Sequence, residues 1–389
     1  MANAFNDTSS IAGLVQTAYD RYVEFALRAQ PMIRAVADKK PVQQAMPGSS
    51  VVFSLYNDLA AATSTLTETT DPDAVALSNV DTVSVTLNEY GNASLVTRKL
   101  QLFSLSDVDP AVADIIAFNM ADSLDIVAQN TLRQGTNVIY GGTRTSTATV
   151  TASDTIDSAD IRKAVAKLRS NKAVPRAGSL YWVGIHPEVS HDLRAESGSV
   201  GWRDTHQFTD ASLGNLFAGT IGTYEGAFFV ENSRMFSAKD GADQTDLPTA
   251  SAVSGVSGEF TIVAANAAFG GKAEVGDKIA GTNVGASAKI TAISVGATNT
   301  TFTVDVANSG TVGTNTLTVT PVTRVFRTLL CGKQALAEAV SQEPGVVIGP
   351  VTDKLMRFRP IGWYGVLGWN RYREEALYRI ETGSSIAAL

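Results

Sequence analysis

Residues 107–135 read DVDPAVADIIAFNMADSLDIVAQNTLRQG, and this stretch decides the architecture. Asp109-Pro110 supplies a cap and then a proline that suits only the first helical turn. Ile115, Phe118, Leu124, Val127 and Leu132 supply apolar positions, while Asp114, Asp122 and Asp125 mark a wetter side. Gly135 is a natural stop. The pattern predicts one helix of about 40 Å at 1.5 Å per residue, long for a globular protein.

Upstream the period changes to two. Val51, Phe53 and Leu55 alternate with Val52, Ser54 and Tyr56, and Val83, Val85 and Leu87 alternate with Ser84, Thr86 and Asn88, which predicts two strands. Residues 60–81 between them are rich in Thr, Ala and Asp. They read as the tip of a long hairpin that cannot pack alone and needs a partner surface. Farther upstream, Ile11, Leu14, Val15, Ala18, Tyr22, Phe25, Ala26 and Ala29 recur at three- and four-residue steps. A helix is expected from about Ser10 to Asp38, capped at Ser9 or Ser10 and broken at Pro31.

Downstream, Gly141–Ser153 reads as a Gly/Thr/Ser linker. Asp157–Ser170 predicts a capped helix with Ile161, Ala164, Val165 and Leu168 on its apolar face. Its opposite face carries Arg162, Lys163, Lys167 and Arg169, a stripe that could touch phosphate but is more commonly a solvated face. Ser179–Phe236 is mixed: a strand at Leu180–Ile185, a short helix at Pro187–Glu196 and a strand at Ala227–Val230. From Asp240 to Pro321 the composition shifts, with no Trp, Tyr or Arg. Runs such as Glu259–Val263, Lys289–Ile293, Thr301–Val306 and Thr316–Val319, split by turn residues, predict four or five short strands of an inserted all-β domain. Thr323–Leu330 is expected to be a strand, and Lys333–Ala339 a helix or a strand. Gly362–Tyr372, dense in Trp, Tyr and Gly, marks core or interface.

The chain has 389 residues, which suggests roughly two to three domains or one large domain with an insertion. Charged residues make up 18%, below the typical value of about 25%, as subunit contact surfaces would require. The net charge of −7 argues against a dedicated nucleic-acid binder. The single cysteine, Cys331, excludes an intramolecular disulfide and a cysteine-rich metal site. Its apolar neighbours predict burial, and a reducing interior suits the chain. Residues 1–7 have neither the basic nor the apolar run of a signal peptide, and no apolar run approaches a membrane span.

The search for chemistry is short. His186-Pro187-Glu188-Val189-Ser190-His191 has the wrong spacing for the zinc-protease motif, and Pro187 makes His186 a junction residue. No Gly-x-Ser-x-Gly elbow occurs. Gly332-Lys333 and Gly271-Lys272 lack the rest of a phosphate loop. The pairs Asp71/Asp73 and Glu374/Glu375 read as solvated carboxylates rather than tuned acids. No catalytic, cofactor-binding or metal-ligating residue is assigned, no cofactor is expected, and an enzyme is the weak reading.

The order of elements and three local stretches resemble the major capsid protein of tailed bacteriophages. The stretches are Ser10–Asp20, Thr86-Leu87-Asn88-Glu89-Tyr90-Gly91-Asn92 and Phe103-Ser104-Leu105-Ser106-Asp107-Val108-Asp109-Pro110. The resemblance covers about residues 1–236 and 323–389. It implies an α+β capsid fold with an N-terminal arm (1–48), an extended β-hairpin loop (49–104) lying over a neighbour, a peripheral domain with a spine helix (105–178), an axial α/β domain (179–239), an inserted β domain (240–321) and a return to the axial and peripheral domains (322–389). It further implies self-assembly into hexamers and pentamers of an icosahedral head enclosing double-stranded DNA. Implied partners are further copies of the chain, portal and scaffolding proteins, and packaged DNA by weak non-specific contact, with no membrane. The implied location is the virion capsid, assembled in the host bacterial cytoplasm. The long N-terminal scaffolding extension of some members is missing, so scaffolding would be separate or absent. The loop tip 60–81 has no lysine, so the Lys–Asn crosslink of some relatives has no donor there. An encapsulin-type compartment shell shares the fold and is the alternative; an enzyme or a surface adhesin built around the β insertion is a third reading.

Overall fold

A computed structural model describes residues 31–41, 50–55, 81–103, 108–196, 220–244, 249–265, 273–296, 298–351 and 357–386, with isolated positions between 59 and 68 and at 355. The predicted N-terminal helix before residue 31, most of the hairpin tip, and His206 lie outside these residues.

The long helix is α2 (Val108–Leu132), so Asp109 falls inside its first turn and is not the cap. It lies on a four-stranded sheet ordered β1-β17-β18-β4. β1 (Asp38–Pro41) runs parallel to β17 (Leu336–Ile348); β18 (Phe358–Arg371) pairs antiparallel with both β17 and β4 (Asn88–Thr97). Ile116 and Leu124 of α2 pack with Val96, Val340, Ile361, Trp363 and Leu367. The Trp363 indole N–H donates to Asn119 Oδ1 at 3.0 Å. The ambiguous segment after Lys333 is therefore strand from Leu336 onward. A short helix, α1 (Arg98–Phe103), joins β4 towards α2.

Two expectations around α2 need correction. The helix expected to reach Asp38 does not: beyond Pro31 the chain forms a 3-10 turn at Ile33–Val36 and then β1. Asp125, expected on the wetter side, is buried. Its Oδ1 accepts the backbone N–H of Ile33 at 2.6 Å and of Arg34 at 3.1 Å, which satisfies the start of that turn. Burial pushes the Asp125 carboxyl above the usual carboxylate range, against those N–H groups, which pull it down.

The two strands of the predicted hairpin are β2 (Ser50–Leu55) and β3 (Asp81–Thr86), paired antiparallel with Val51 opposite Val85 and Phe53 opposite Val83. Their buried side packs Phe53 and Val85 on Ala337 and Ala339 of β17, and Phe53 meets Tyr372 edge-on at 5.7 Å. Gly368 of β18 lies against the Thr86 backbone, where a Cβ would overlap the Thr86 carbonyl. The hairpin base is thus fixed to the long sheet.

A seven-stranded sheet forms the second body, in the order β5-β19-β16-β6-β8-β7 with β9 also on β16. Its strands are β5 (Val138–Tyr140), β6 (Tyr181–Ile185), β7 (Thr220–Tyr224), β8 (Ala227–Glu231), β9 (Ser237–Asp243), β16 (Val322–Cys331) and β19 (Leu377–Thr382). α3 (Ser158–Ser170) and α4 (Pro187–Ala195) cover it with Ile161, Val165, Leu168, Val189 and Leu193 against Tyr181, Phe229 and Phe326. A second cluster joins Leu132 of α2 and Ile33 to Trp182, Leu329 and Cys331. Cys331 is fully buried, and burial pushes its thiol up to about 12, so it is an inert apolar position. The expected 141–153 linker is a packed segment: Val150 is buried and its carbonyl accepts the Ala242 N–H at 2.8 Å.

Asp157 caps α3 by accepting the Asp160 N–H at 2.8 Å. Asp160 is buried; desolvation, then the Asp157 charge, raise its carboxyl from 3.8 to about 7. An acid raised in the folded state favours folding when protonated, and that contribution is lost as pH rises from 3.8 towards 7. Asp160→Asn should therefore raise the melting temperature by a few degrees at about pH 8 and by less at about pH 5. Equal shifts in thermal melts at the two pH values would contradict this.

The composition-shifted segment forms a six-stranded sheet in the order β12-β15-β10-β11-β14-β13. These are β10 (Thr249–Ser254), β11 (Thr261–Ala265), β12 (Lys278–Ala280), β13 (Ile290–Val295), β14 (Asn299–Val304) and β15 (Thr316–Thr320). Its own core includes Ile262, Phe302, Leu317 and Val319. The sequence pattern missed β10 and β12. β10 is largely Ala and Ser, and β12 has three residues, so neither carries a clear alternation.

Candidate assembly surfaces

Few of the residues singled out in the sequence come together. His186 caps α4 through its Nδ1, which accepts the Glu188 N–H at 3.3 Å, and its ring lies 4.9 Å from Phe326. Burial pulls its pKa down. His191 is exposed, 3.3 Å from Asp192. Asp192 accepts the Ser385 N–H at 3.0 Å and so ties the C-terminal segment to α4. Among the described residues no three His, Cys, Asp or Glu side chains converge as metal ligands, and no helix is long and apolar enough to cross a membrane. Asp71 and Asp73 lie outside the described residues. Glu375 is exposed, but Glu374 is not simply solvated: it accepts from Thr136 Oγ1 at 3.0 Å and from Arg371 Nε at 2.8 Å.

Sequence reasoning missed a set of buried carboxylates. Glu338, Glu381 and Asp277 are fully buried. Glu338 holds Arg34, 2.6 Å away, so the segment before β1 is pinned to β17. Glu381 of β19 meets Arg327 Nε at 3.0 Å and Arg379 Nε at 2.7 Å, and accepts from Thr147 at 2.5 Å. Asp277 pairs with Lys239 at 2.6 Å and accepts the Val322 N–H at 3.1 Å. The signal that could have found them is a carboxylate inside an apolar strand run, as in Ala337-Glu338-Ala339-Val340. Each of these sites joins segments distant in sequence and buries charge only against a partner charge. They fix the subunit's shape; they are not arranged around a cavity where a substrate would react.

The informative surface is apolar. At one end of the long sheet, Thr97 of β4 pairs with Phe358 of β18, and the Arg98 N–H donates to the Arg357 carbonyl at 2.8 Å. α1 leaves from this point. Leu102 and Phe103 on it are 73% and 79% exposed. Leu95, Val347, Ile348, Val351 and Leu355 are exposed as well. A cleft of about 590 Å³ between Leu102, Val351 and Phe358 also carries Arg98, Arg357 and Arg359. Single exposed apolar residues are ordinary, but several gathered at one end of a sheet beside an arginine-bearing cleft are what a protein contact uses. α2 repeats the theme: Ile116 and Leu124 are buried, whereas Ile115 and Ile126 face outward.

The chain as a whole is similar to known proteins. A sequence model described as phage capsid protein matches residues 128–385. The structure is similar to the capsid of Ralstonia phage GP4, with a TM-score of 0.61 and 13% identity over 95% of this chain and 96% of that one. It is similar to the cyanophage Pam1 capsid, with a TM-score of 0.61 and 12% identity over 99% and 100%. It also resembles the capsid of Helicobacter pylori bacteriophage KHP30, with a TM-score of 0.58 and 14% identity over 98% and 99%. No curated protein matches the sequence. The encapsulin-type alternative is not favoured by these matches. With two thirds of its length matched by the phage capsid model and its α+β architecture shared with phage capsids, the chain belongs to the phage capsid protein family.

Proposed function

We propose that this capsid protein is the repeating shell subunit, assembling with copies of itself into hexamers and pentamers that close an icosahedral head around double-stranded DNA. The observation that carries the reading is the apolar end of the long sheet around Leu102, Phe103 and Ile348, which no described residue covers. A surface of this kind is covered by another copy, and a ring of copies needs heterologous contacts that repeat around it. The hairpin β2–β3 supports the same reading: its base is fixed on β17 and β18, and the sequence that follows β2 has too little apolar content to pack alone. Light scattering on the purified chain should show large species forming cooperatively with concentration; a chain that stays monomeric throughout would refute the proposal. No enzymatic role is inferred.

In this reading residues 49–104 are the extended loop that lies over a neighbour, 105–178 the peripheral domain, 179–239 the axial domain, and 322–389 the return to the axial and peripheral domains. Portal and scaffolding proteins would be met during assembly in the host cytoplasm. Shells should be held by non-covalent contact alone, because residues 60–81 contain no lysine. Boiled particles on a denaturing gel should give one band near the monomer mass; a ladder of covalent multimers would contradict that.

The segment 240–321 is proposed as a separate unit on the outer face. β9 continues to Asp243, which pairs with Val322, and the Gln244 N–H donates to the Pro321 carbonyl at 2.8 Å. The neck is therefore closed at 244–321, four residues inside the composition break at Asp240. Replacing 244–321 by a short Gly/Ser linker should leave the α/β body soluble and cooperatively folded. Removing 240–321 should cost more stability, because it cuts the end of β9 from the sheet. The boundary is wrong if the 244–321 excision is insoluble while a protein with the linker added beside the intact segment is soluble.

A further inference from the structure

We propose that the outer face of α3, together with the cleft at its C-terminal end, binds the phosphate backbone of nucleic acid. Arg162, Lys163, Lys167 and Arg169 are all exposed on the helix face opposite the core. None of them forms an ion pair with a described residue, although Arg169 lies beside the Tyr181 hydroxyl. Three of the carboxylates nearby are committed elsewhere; Glu225, next to the Gly226 that Arg169 lies against, is the one beside the stripe. Asp157 caps the helix, Asp160 is buried, and Glu196 accepts the Ser158 N–H at 3.0 Å and its hydroxyl at 2.9 Å.

The helix dipole explains only part of this charge. Lys167 and Arg169 sit in the last turn, where a cation is favoured. Arg162 and Lys163 sit in the first half, where it is not. Lys163 and Lys167 are also four residues apart, so they stack as a repelling pair on one face. A face that keeps such repulsion while the whole chain carries a net charge of −7 is segregated charge, which an anionic partner relieves.

The charge continues past the helix. Lys172 follows the cap, and with Lys333 and Arg373 it lines a polar cleft of about 380 Å³. Lys172 and Gln334, at φ 58° and 64°, hold the left-handed backbone that non-glycine residues rarely adopt, and both border this cleft. Glu375 is the exposed carboxylate there, while Glu374 is held by Arg371. From Arg162 to Lys172 the cations span about 15 Å along the helix axis. A duplex carries one phosphate per about 1.7 Å of its axis, both strands counted, so a strip of this length faces several of them. The stretch from Arg162 to Arg169 carries no aromatic or amide side chain, so its contact is to backbone and without sequence preference; Asn171, Gln334 and Tyr372 lie in the cleft beyond it.

The proposal rests on the shell reading only for where the DNA is met. Binding of the purified chain to a short random-sequence DNA duplex is measured by fluorescence anisotropy over a range of salt, with particles imaged in the same samples. The four-fold variant R162Q/K163Q/K167Q/R169Q should flatten the slope of log affinity against log salt by about 3.6, at about 0.9 for each phosphate left unneutralised. The two-fold variant K163Q/K167Q, less demanding on folding, should flatten it by about 1.8, and the charge-matched K278Q/K289Q should leave it unchanged. Wild-type slopes in the α3 variants would overturn the proposal. So would a loss of assembly with unchanged DNA binding, which would mean that the stripe meets an acidic surface of a second copy. If the wild type forms no particles yet the slopes change as stated, the shell reading fails and this inference stands.

Discussion

Arg34→Ala should destabilise the subunit by about 3–5 kcal/mol, because it leaves the carboxylate of Glu338 buried without its partner. Glu338 is fully buried and sits 2.6 Å from Arg34, whose side chain is itself largely covered. Glu338 Oε2 already lacks a hydrogen-bond partner among the described residues, so nothing nearby can replace the guanidinium. The double variant R34M/E338L should recover most of the stability, since a buried ion pair replaced by apolar groups of similar volume is often neutral. Chemical denaturation of the three proteins checks this. A single variant within about 0.5 kcal/mol of the parent would show that the segment before β1 is not held through this pair.

Leu102→Asp combined with Ile348→Asp should abolish assembly while leaving the subunit folded. Both side chains are exposed in the isolated subunit, so the substitutions should change its stability by no more than about 0.5 kcal/mol. In a shell they would be buried against another copy. Each apolar side chain removed would then cost about 1.5–3 kcal/mol, with the penalty for burying a carboxylate added, at every repeat of the interface. Size-exclusion chromatography with circular dichroism separates the two effects. Normal shells from the double variant would place the main contacts elsewhere, and an unfolded variant would mean that these residues belong to the core.

Much of the fold was legible because regular elements carry regular patterns. The hairpin strands around Val51 and Val85 and the capped helix α3 show their period in the chain, whereas the long helix α2 is marked by its early proline and its stop at Gly135, its apolar residues being spread around it. What was not legible depended on contacts distant in sequence. Asp125 looks like a solvent-facing helix residue until Ile33 and Arg34 present their N–H groups to it. Glu338 and Glu381 look like stray charges in strands until arginines from other segments arrive. The edge of the six-stranded sheet escaped notice because three residues, Lys278–Ala280, are too few to show alternation. The proposed assembly surface was invisible for a related reason: Leu102 and Phe103 read as ordinary apolar positions, and only the fold shows that nothing in the described chain covers them.

The most direct test is electron cryomicroscopy of the purified, concentrated protein. The account predicts closed shells of hexamers and pentamers, with the β2–β3 hairpin of one subunit lying across its neighbour and the Leu102/Ile348 end of each long sheet buried against another copy. Discrete monomers or dimers at every concentration, or shells in which that apolar end faces solvent, would contradict it.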